Sequence, residues 1–316
     1  MTEAIITIRD YYLKNRNLFL ILLKLLIAAG LLLFILSYVN IEKTFTLLTG
    51  ADRYYLTIAI LLGFANIYLQ YLKWMLVCNL VLSERNRAKI VSSLFYGFTA
   101  GSVTPARVGE YFGRAIPFKG KPLVHVTAAV LIDKLFSFFM VTIFGSAAFL
   151  LFINSDLLYI ISLLVIVSSL AYFVYDGKAV IKFIKRLTIK WKWSRAALGS
   201  LSLLNNMNNR SRIRLTSLSL LFYWCFILQF ALLVTAFSHH YDFVNYIWTG
   251  NLVMFAKTIV PSFSFGELGI REGASVYFLE QFGENAAAGL NASIFLFLIN
   301  IVFPALIGLF HFLKRK

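Results

Sequence analysis

Six stretches of this chain, 18–38, 55–82, 123–152, 157–175, 215–238 and 286–310, are almost wholly apolar. Each runs for about 20 residues or more, the length a helix needs to cross a hydrocarbon core of roughly 30 Å. Hydrocarbon offers the backbone no hydrogen-bond partner, so such stretches are confined to helix. Only 14% of the residues are charged, against about a quarter in soluble domains, and the mean hydropathy is +0.78. The fold class is therefore an all-α polytopic membrane protein. Two further apolar runs, 88–104 and 246–261, each end at or beside a proline and are too short and interrupted for simple spans.

The formal net charge of +16 excludes a nucleic-acid binder on placement, because the basic residues collect at the ends of apolar segments instead of over a soluble face. Between 176 and 214, Lys178, Lys182, Lys185, Arg186, Lys190 and further basic residues stand against the single acid Asp176. That stretch, the N-terminal flank, the turn at 83–89, the loop after Arg107 and the C-terminal lysines are placed in the cytoplasm. The connections at 39–54, 153–156 and 239–245 are neutral or acidic and placed outside. Six crossings plus two dips satisfy this assignment, with both termini cytoplasmic in a multi-pass cell membrane protein. The first apolar segment is read as a retained signal anchor. Residues 178–193 alternate apolar and basic faces as an interfacial helix does on an anionic leaflet.

Two passages carry the ions. Residues 104–115 read TPARVGEYFGRA, and residues 261–274 read PSFSFGELGIREGA; each has a proline, then Gly-Glu, then an arginine four places after the glutamate. Pro105 and Pro261 are 156 residues apart, almost half the chain. Each follows two long spans and one short run and precedes one long span, which predicts a duplication: a first membrane repeat over 1–156 and a second over 157–316. Three crossings per half make the repeats inverted, each with a re-entrant or broken helix, an architecture whose substrate sites lie where the interrupted helices meet.

A spacing of four lets Glu110 neutralise Arg114 and Glu267 neutralise Arg271 on a helix face. Arg107 and Glu272 are left to pair across the halves, or Arg107 to receive an anion, since its planar fork can donate two hydrogen bonds to a phosphate. Asp133 and Lys134 lie about eleven residues into their span and face the interior, as a structural pair or a relay. Lys24 and Lys73 are read as snorkelling. His239, His240 and Asp242 are read as an external loop without metal, and the buried positions of Cys78 and Cys225 as free thiols. No cofactor motif is present.

The two motifs in this order resemble the lysylphosphatidylglycerol synthase transmembrane-region family of flippase-like proteins. Thr104, Pro105, Arg107, Gly109 and Glu110 match its first motif; Pro261, Gly266, Leu268, Gly269, Arg271 and Glu272 match its second; Asp133 and Lys134 occupy its acid-base position. Ala106 replaces a usual glycine, Glu267 stands where a second glycine is expected, and the last span has no arginine. The resemblance implies movement of a lipid or lipid-linked headgroup across the membrane, with these residues other than Leu268, together with Glu267 and Arg114, at the substrate. An anionic phospholipid or lipid-linked molecule is the partner, beside a separately encoded synthase or glycosyltransferase. No enzymatic activity is expected, since 176–214 is too short for an aminoacyl transferase. The alternative is a non-transporting scaffold for an envelope lipid or glycan enzyme.

Overall fold

The computed structural model describes residues 41–104, 106–153, 168, 207–260 and 269–314. The apolar stretches 18–38 and 157–175, the basic segment 178–193, and Pro105, Pro261, Gly266, Glu267 and Leu268 lie outside the described residues, apart from Ser168.

Within them the chain is all helical. α1 is Ile41–Thr49; α2 is Arg53–Val77, prolonged by a π-helical turn over Cys78–Leu82; α3 is Arg87–Ser102; α4 is Gly109–Gly113; α5 is Leu123–Phe152. α6 is Asn209–Ser238; α7 is Phe243–Ile259; α8 is Ile270–Gln281; α9 is Ala286–Phe297, running through a π turn at Leu298–Val302 into α10, Phe303–Leu313. Four units are long and apolar enough to cross a membrane: 53–82, 123–152, 209–238 and 286–313. They contain four of the six stretches read as spans. The connection expected at 39–54 instead contains α1, which is held because Leu47 packs on the α8–α9 core and Asn291 Nδ2 donates to the Thr44 carbonyl at 3.0 Å.

Short polar side chains fix the helix starts. Asp52, Asn86, Asn208, Asp242 and Asn285 each accept a hydrogen bond from a first-turn amide, supplying the partner that the helix cannot provide for itself. α5 starts after Pro122.

Two apolar clusters hold the opposite ends of the bundle. One joins Leu82, Ile90, Phe118, Val126 and Leu215, so the end of α2 meets the starts of α3, α5 and α6. The other joins Ala59, Ala148, Phe237, Tyr246 and Phe278 at the far end. α2 and α6 pack along their length and run antiparallel: the Asp52 amide donates to the Ala236 carbonyl at 2.9 Å, Gln229 Nε2 to the Ala59 carbonyl at 3.0 Å, and Cys225 Sγ to the Leu62 carbonyl at 3.4 Å. α3 packs on α10 and α7 on α5, also antiparallel. Ser92 meets His311 and Thr99 Oγ1 donates to the Ala305 carbonyl on the first contact; Trp248 Nε1 donates to the Ala148 carbonyl and Gly145 abuts Phe255 on the second.

α3 and α7 span 16 and 17 residues, about 25 Å, which is less than the hydrocarbon thickness. After each the chain doubles back. Gly113 lies against the Tyr96 carbonyl, and Ser93 Oγ donates to the Arg114 carbonyl at 2.6 Å. Beyond α8, Glu284 returns to the start of α7, accepting from Tyr246 Oη at 2.9 Å.

Candidate functional site

The motif at 104–114 is folded by its own polar groups. Thr104 Oγ1 donates to the Ala100 carbonyl at 2.9 Å and accepts from the Gly109 amide at 2.7 Å, tying the end of α3 to the start of α4. Ala106 and Arg107 between them have left-handed φ values of +49° and +53°. A Cβ on Gly113 would fall 2.4 Å from the Tyr96 carbonyl oxygen, so only glycine allows α4 this close to α3. The turn thus delivers Glu110 and Arg114 to one side, where both are nearly inaccessible.

There they join a network drawn from three elements. Arg114 Nη2 donates to Glu110 Oε1 at 2.6 Å and its Nη1 to Asp133 Oδ2 at 3.0 Å, while its guanidinium lies over the Trp74 ring at 4.5 Å. Lys134 Nζ reaches Glu110 Oε2 at 2.8 Å, and Arg107 Nη2 reaches the same oxygen at 3.3 Å. Lys73 Nζ pairs with Asp133 Oδ1 at 3.3 Å and donates to Ser137 Oγ.

Glu110 and Arg114 pair as their spacing predicts. Three expectations are corrected. Lys73 does not snorkel: it is 2% exposed, twenty residues from the start of its long helix, too deep to reach an interface, and bound to Asp133. Arg107 is not without a local acid, because the left-handed turn swings it back to Glu110. Glu272 is not left for Arg107: Arg271 Nη2 donates to Glu272 Oε1 at 2.5 Å and Arg271 Nε to Ser293 Oγ at 3.1 Å. The other carboxylate oxygen of Glu272 accepts from the Gly269 amide at 2.7 Å, at the start of α8, where Gly269 adopts φ +99°. Asp133 and Lys134 go to different partners, since neighbouring residues diverge around a helix.

The network lines one wall of a cavity of about 200 Å³. α2 supplies Asn66, Gln70 and Lys73; α5 supplies Asp133, Lys134 and Ser137; α6 supplies Phe222 and Phe226; the last span supplies Asn300 and Ile301. Each set falls at or near the middle of its long helix, so the cavity sits halfway along the bundle. The turn between α3 and α4 contributes Arg107, α7 contributes Lys257 and α8 contributes Arg271, so both interrupted segments reach it. Lys73, Arg107, Arg114, Lys134, Lys257 and Arg271 face the cavity, and among the described residues Glu110, Asp133 and Glu272 are the carboxylates shared by five of them, Lys73, Arg107, Arg114, Lys134 and Arg271. The buried polar atoms of lining residues that hydrogen-bond to no group among the described residues include Arg107 Nε, Arg114 Nε, Asn66 Nδ2 and Asn300 Oδ1. Asn300 Nδ2 donates to Gln229 Oε1 at 2.8 Å and to the Leu296 carbonyl at 3.1 Å, which fixes its free atom as an acceptor, while Asn66 Oδ1 accepts from Gln70 Nε2 at 3.2 Å and leaves the Asn66 donor unused.

Of the motif residues, Arg107, Glu110, Arg114, Asp133, Lys134 and Arg271 come together at the cavity. Thr104, Gly109 and Gly269 shape the turns behind it, and Glu272 orients Arg271. Lys73, Ser137, Asn66, Gln70, Lys257 and Asn300 also line it without belonging to either motif. Their polarity inside apolar runs was the available signal, since a polar side chain at that depth needs a partner or a polar chamber. Among the described residues no cluster of His, Cys, Asp and Glu could hold a metal ion. Cys78 and Cys225 are buried free thiols.

Long apolar helices converging on a polar, cation-rich chamber at mid-length define a polytopic membrane protein with an internal polar cavity. The chain belongs to the family described as the lysylphosphatidylglycerol synthase TM region, whose family model matches residues 21–308. That name ties it to a membrane region and, more loosely, to lipid. No curated protein matches the chain.

Proposed function

We propose that this protein moves the anionic headgroup of a lipid or lipid-linked molecule across the membrane, or is the membrane subunit of a system that does, without altering its substrate chemically. The observation that carries the reading is that, among the described residues, five cations, Lys73, Arg107, Arg114, Lys134 and Arg271, share three carboxylates around a cavity at the middle of all four long helices. Cations held in a low-dielectric chamber favour an anion strongly, and a phosphate is the anion that lipids bring to this depth. Arg107 is its first contact. It shares Glu110 with Arg114 and Lys134 and carries an unused Nε, so it can turn to a phosphate while Glu110 keeps two partners. The free donor of Asn66 and acceptor of Asn300 suit a hydroxyl on the same headgroup.

The halves are inverted repeats in this reading. α2 corresponds to α6, α3 to α7, and α5 to the last span, and each member runs opposite to its counterpart. The exchanged packing of α3 on α10 and of α7 on α5 supports this, because an inverted duplication relates those two contacts. So does the doubling back of the chain after α3 and α7, as re-entrant segments require. Alternate exposure of the cavity by rocking one half against the other then moves the headgroup.

In proteoliposomes, purified protein is expected to move fluorescent phosphatidylglycerol between leaflets. Arg107→Ala should slow transfer about ten- to a hundred-fold, the worth of one charge-assisted hydrogen bond, with folding kept. Arg107→Lys should be intermediate, since it keeps charge without the fork. If the parent protein moves no lipid of any headgroup class, the translocator reading falls and the scaffold reading replaces it.

A further inference from the structure

The helices that present Asn66 and Asn300 to the cavity carry a different surface on their outer side. Ile60, Phe64 and Ile67 of α2 meet Leu298, Ile299 and Phe303 of the last span around a wholly apolar groove of about 250 Å³. Phe64 and Phe303, 53% and 44% exposed, stack edge to face at its mouth with ring centroids 5.9 Å apart. Ile67 follows Asn66 and Ile299 precedes Asn300, so groove and cavity are the two sides of one helix seam. The seam closes on Gly63, where a Cβ would fall 2.2 Å from Ile299 Cγ2. Ile299 and Asn300 both lie in the π turn, where the helix widens and its packing is least regular, and such turns recur at functional sites.

We propose that this groove seats an acyl chain of the lipid whose headgroup occupies the cavity, and that the α2–last-span seam at Gly63 and Ile299 is the portal between them. The inference rests on the translocator reading. A hydrocarbon chain is the occupant because the groove lies mid-way along both helices, at the depth of the hydrocarbon core, and offers no hydrogen bond. Its place directly across the seam from the cavity lets one amphiphile satisfy both once the seam opens, with chain outside, headgroup inside and the linkage passing between the two helices.

Two measurements on the full chain test this. A photo-reactive phenylalanine analogue is placed at position 64 or 303 and, as a control, at the exposed Phe138 of α5, in vesicles of phosphatidylglycerol and phosphatidylethanolamine. Lipid adducts at 64 and 303 should exceed the control several-fold. Equal yields would mean ordinary annular lipid, and protein–protein adducts would mean that a second copy covers the groove; either overturns the proposal. The second measurement locks the seam with Gly63→Cys and Ile299→Cys in a Cys78→Ala, Cys225→Ala background. The Cβ positions at 63 and 299 lie 3.7 Å apart, within the range a disulfide bridges, and loss of the isoleucine branch makes room. Oxidation should reduce lipid transfer at least ten-fold, and dithiothreitol should restore it. Undiminished transfer by the oxidised protein would overturn the portal. If neither this variant nor the parent transfers lipid, the translocator reading fails by itself, and the photo-adducts alone decide whether the groove holds a chain.

Discussion

Glu110 is the residue on which most of the network hangs. It is 3% exposed and meets Arg107, Arg114 and Lys134. A charge alone in hydrocarbon costs about 2.5–3.5 kcal/mol on insertion scales, so these groups persist there only as a set. Removing Glu110 leaves the Arg114 guanidinium with Asp133 alone and strips two other cations of their shared acid. Glu110→Ala is therefore expected to destabilise the protein by about 3–5 kcal/mol, the cost of breaking a buried pair. Lys134→Ala should cost about 1 kcal/mol or less, since its side chain is one-third exposed and Glu110 keeps two partners. Denaturant titration in detergent compares them, and equal effects would mean that Glu110 is solvated. At Ala106 the left-handed backbone carries a side chain at a cost of about 1–2 kcal/mol.

At the scale of elements, the hairpin of α3 and α4 decides where those charges go. It is compact because small residues let two backbones touch, which is how helices associate where apolar burial gives no advantage over lipid. Gly97 faces Arg114 in the same way, with the position of an added Cβ 2.6 Å from Arg114 Cγ. Gly113→Ala drives a methyl against the backbone of Tyr96, so α4 must lift from α3 at a cost of about 1–3 kcal/mol. Gly120→Ala, with open space around it, is the control and should be neutral. Lipid transfer should fall with Gly113→Ala as well, because the shift moves Arg114 and Glu110 away from Asp133 and Lys134. A Gly113→Ala protein as stable and active as the parent would show that the hairpin tolerates loosening.

At the scale of the whole molecule, charge is sorted between two ends. Arg85, Arg87, Lys89, Lys119, Lys121, Arg210 and Arg214 gather beside the cluster of Leu82, Ile90 and Phe118; Asp52, Asp242 and Glu284 gather at the opposite end. The basic end is expected to face the cytoplasm. In protein whose native cysteines are replaced by alanine, Arg85→Cys should react with an impermeant thiol reagent only in opened cells, and Tyr241→Cys in intact ones. The reverse pattern would invert the orientation and with it the side from which the first hairpin enters.

The sequence by itself determined the class of fold, four of the described long helices with seven of their eight ends to within three residues, and the Glu110–Arg114 pair. Those features are local: apolar length, a helix-breaking residue and a spacing of four are written in consecutive residues. It did not determine that Lys73 belongs with Asp133, that Arg107 turns back to Glu110, or that Asn66 and Asn300 face one chamber. Partners 60 residues apart, such as Lys73 and the Asp133 carbonyl, meet only when α2 and α5 are set side by side. Only the tertiary structure decides this, because a helix's period says which residues share its face, whereas the helix it faces depends on how all the others pack.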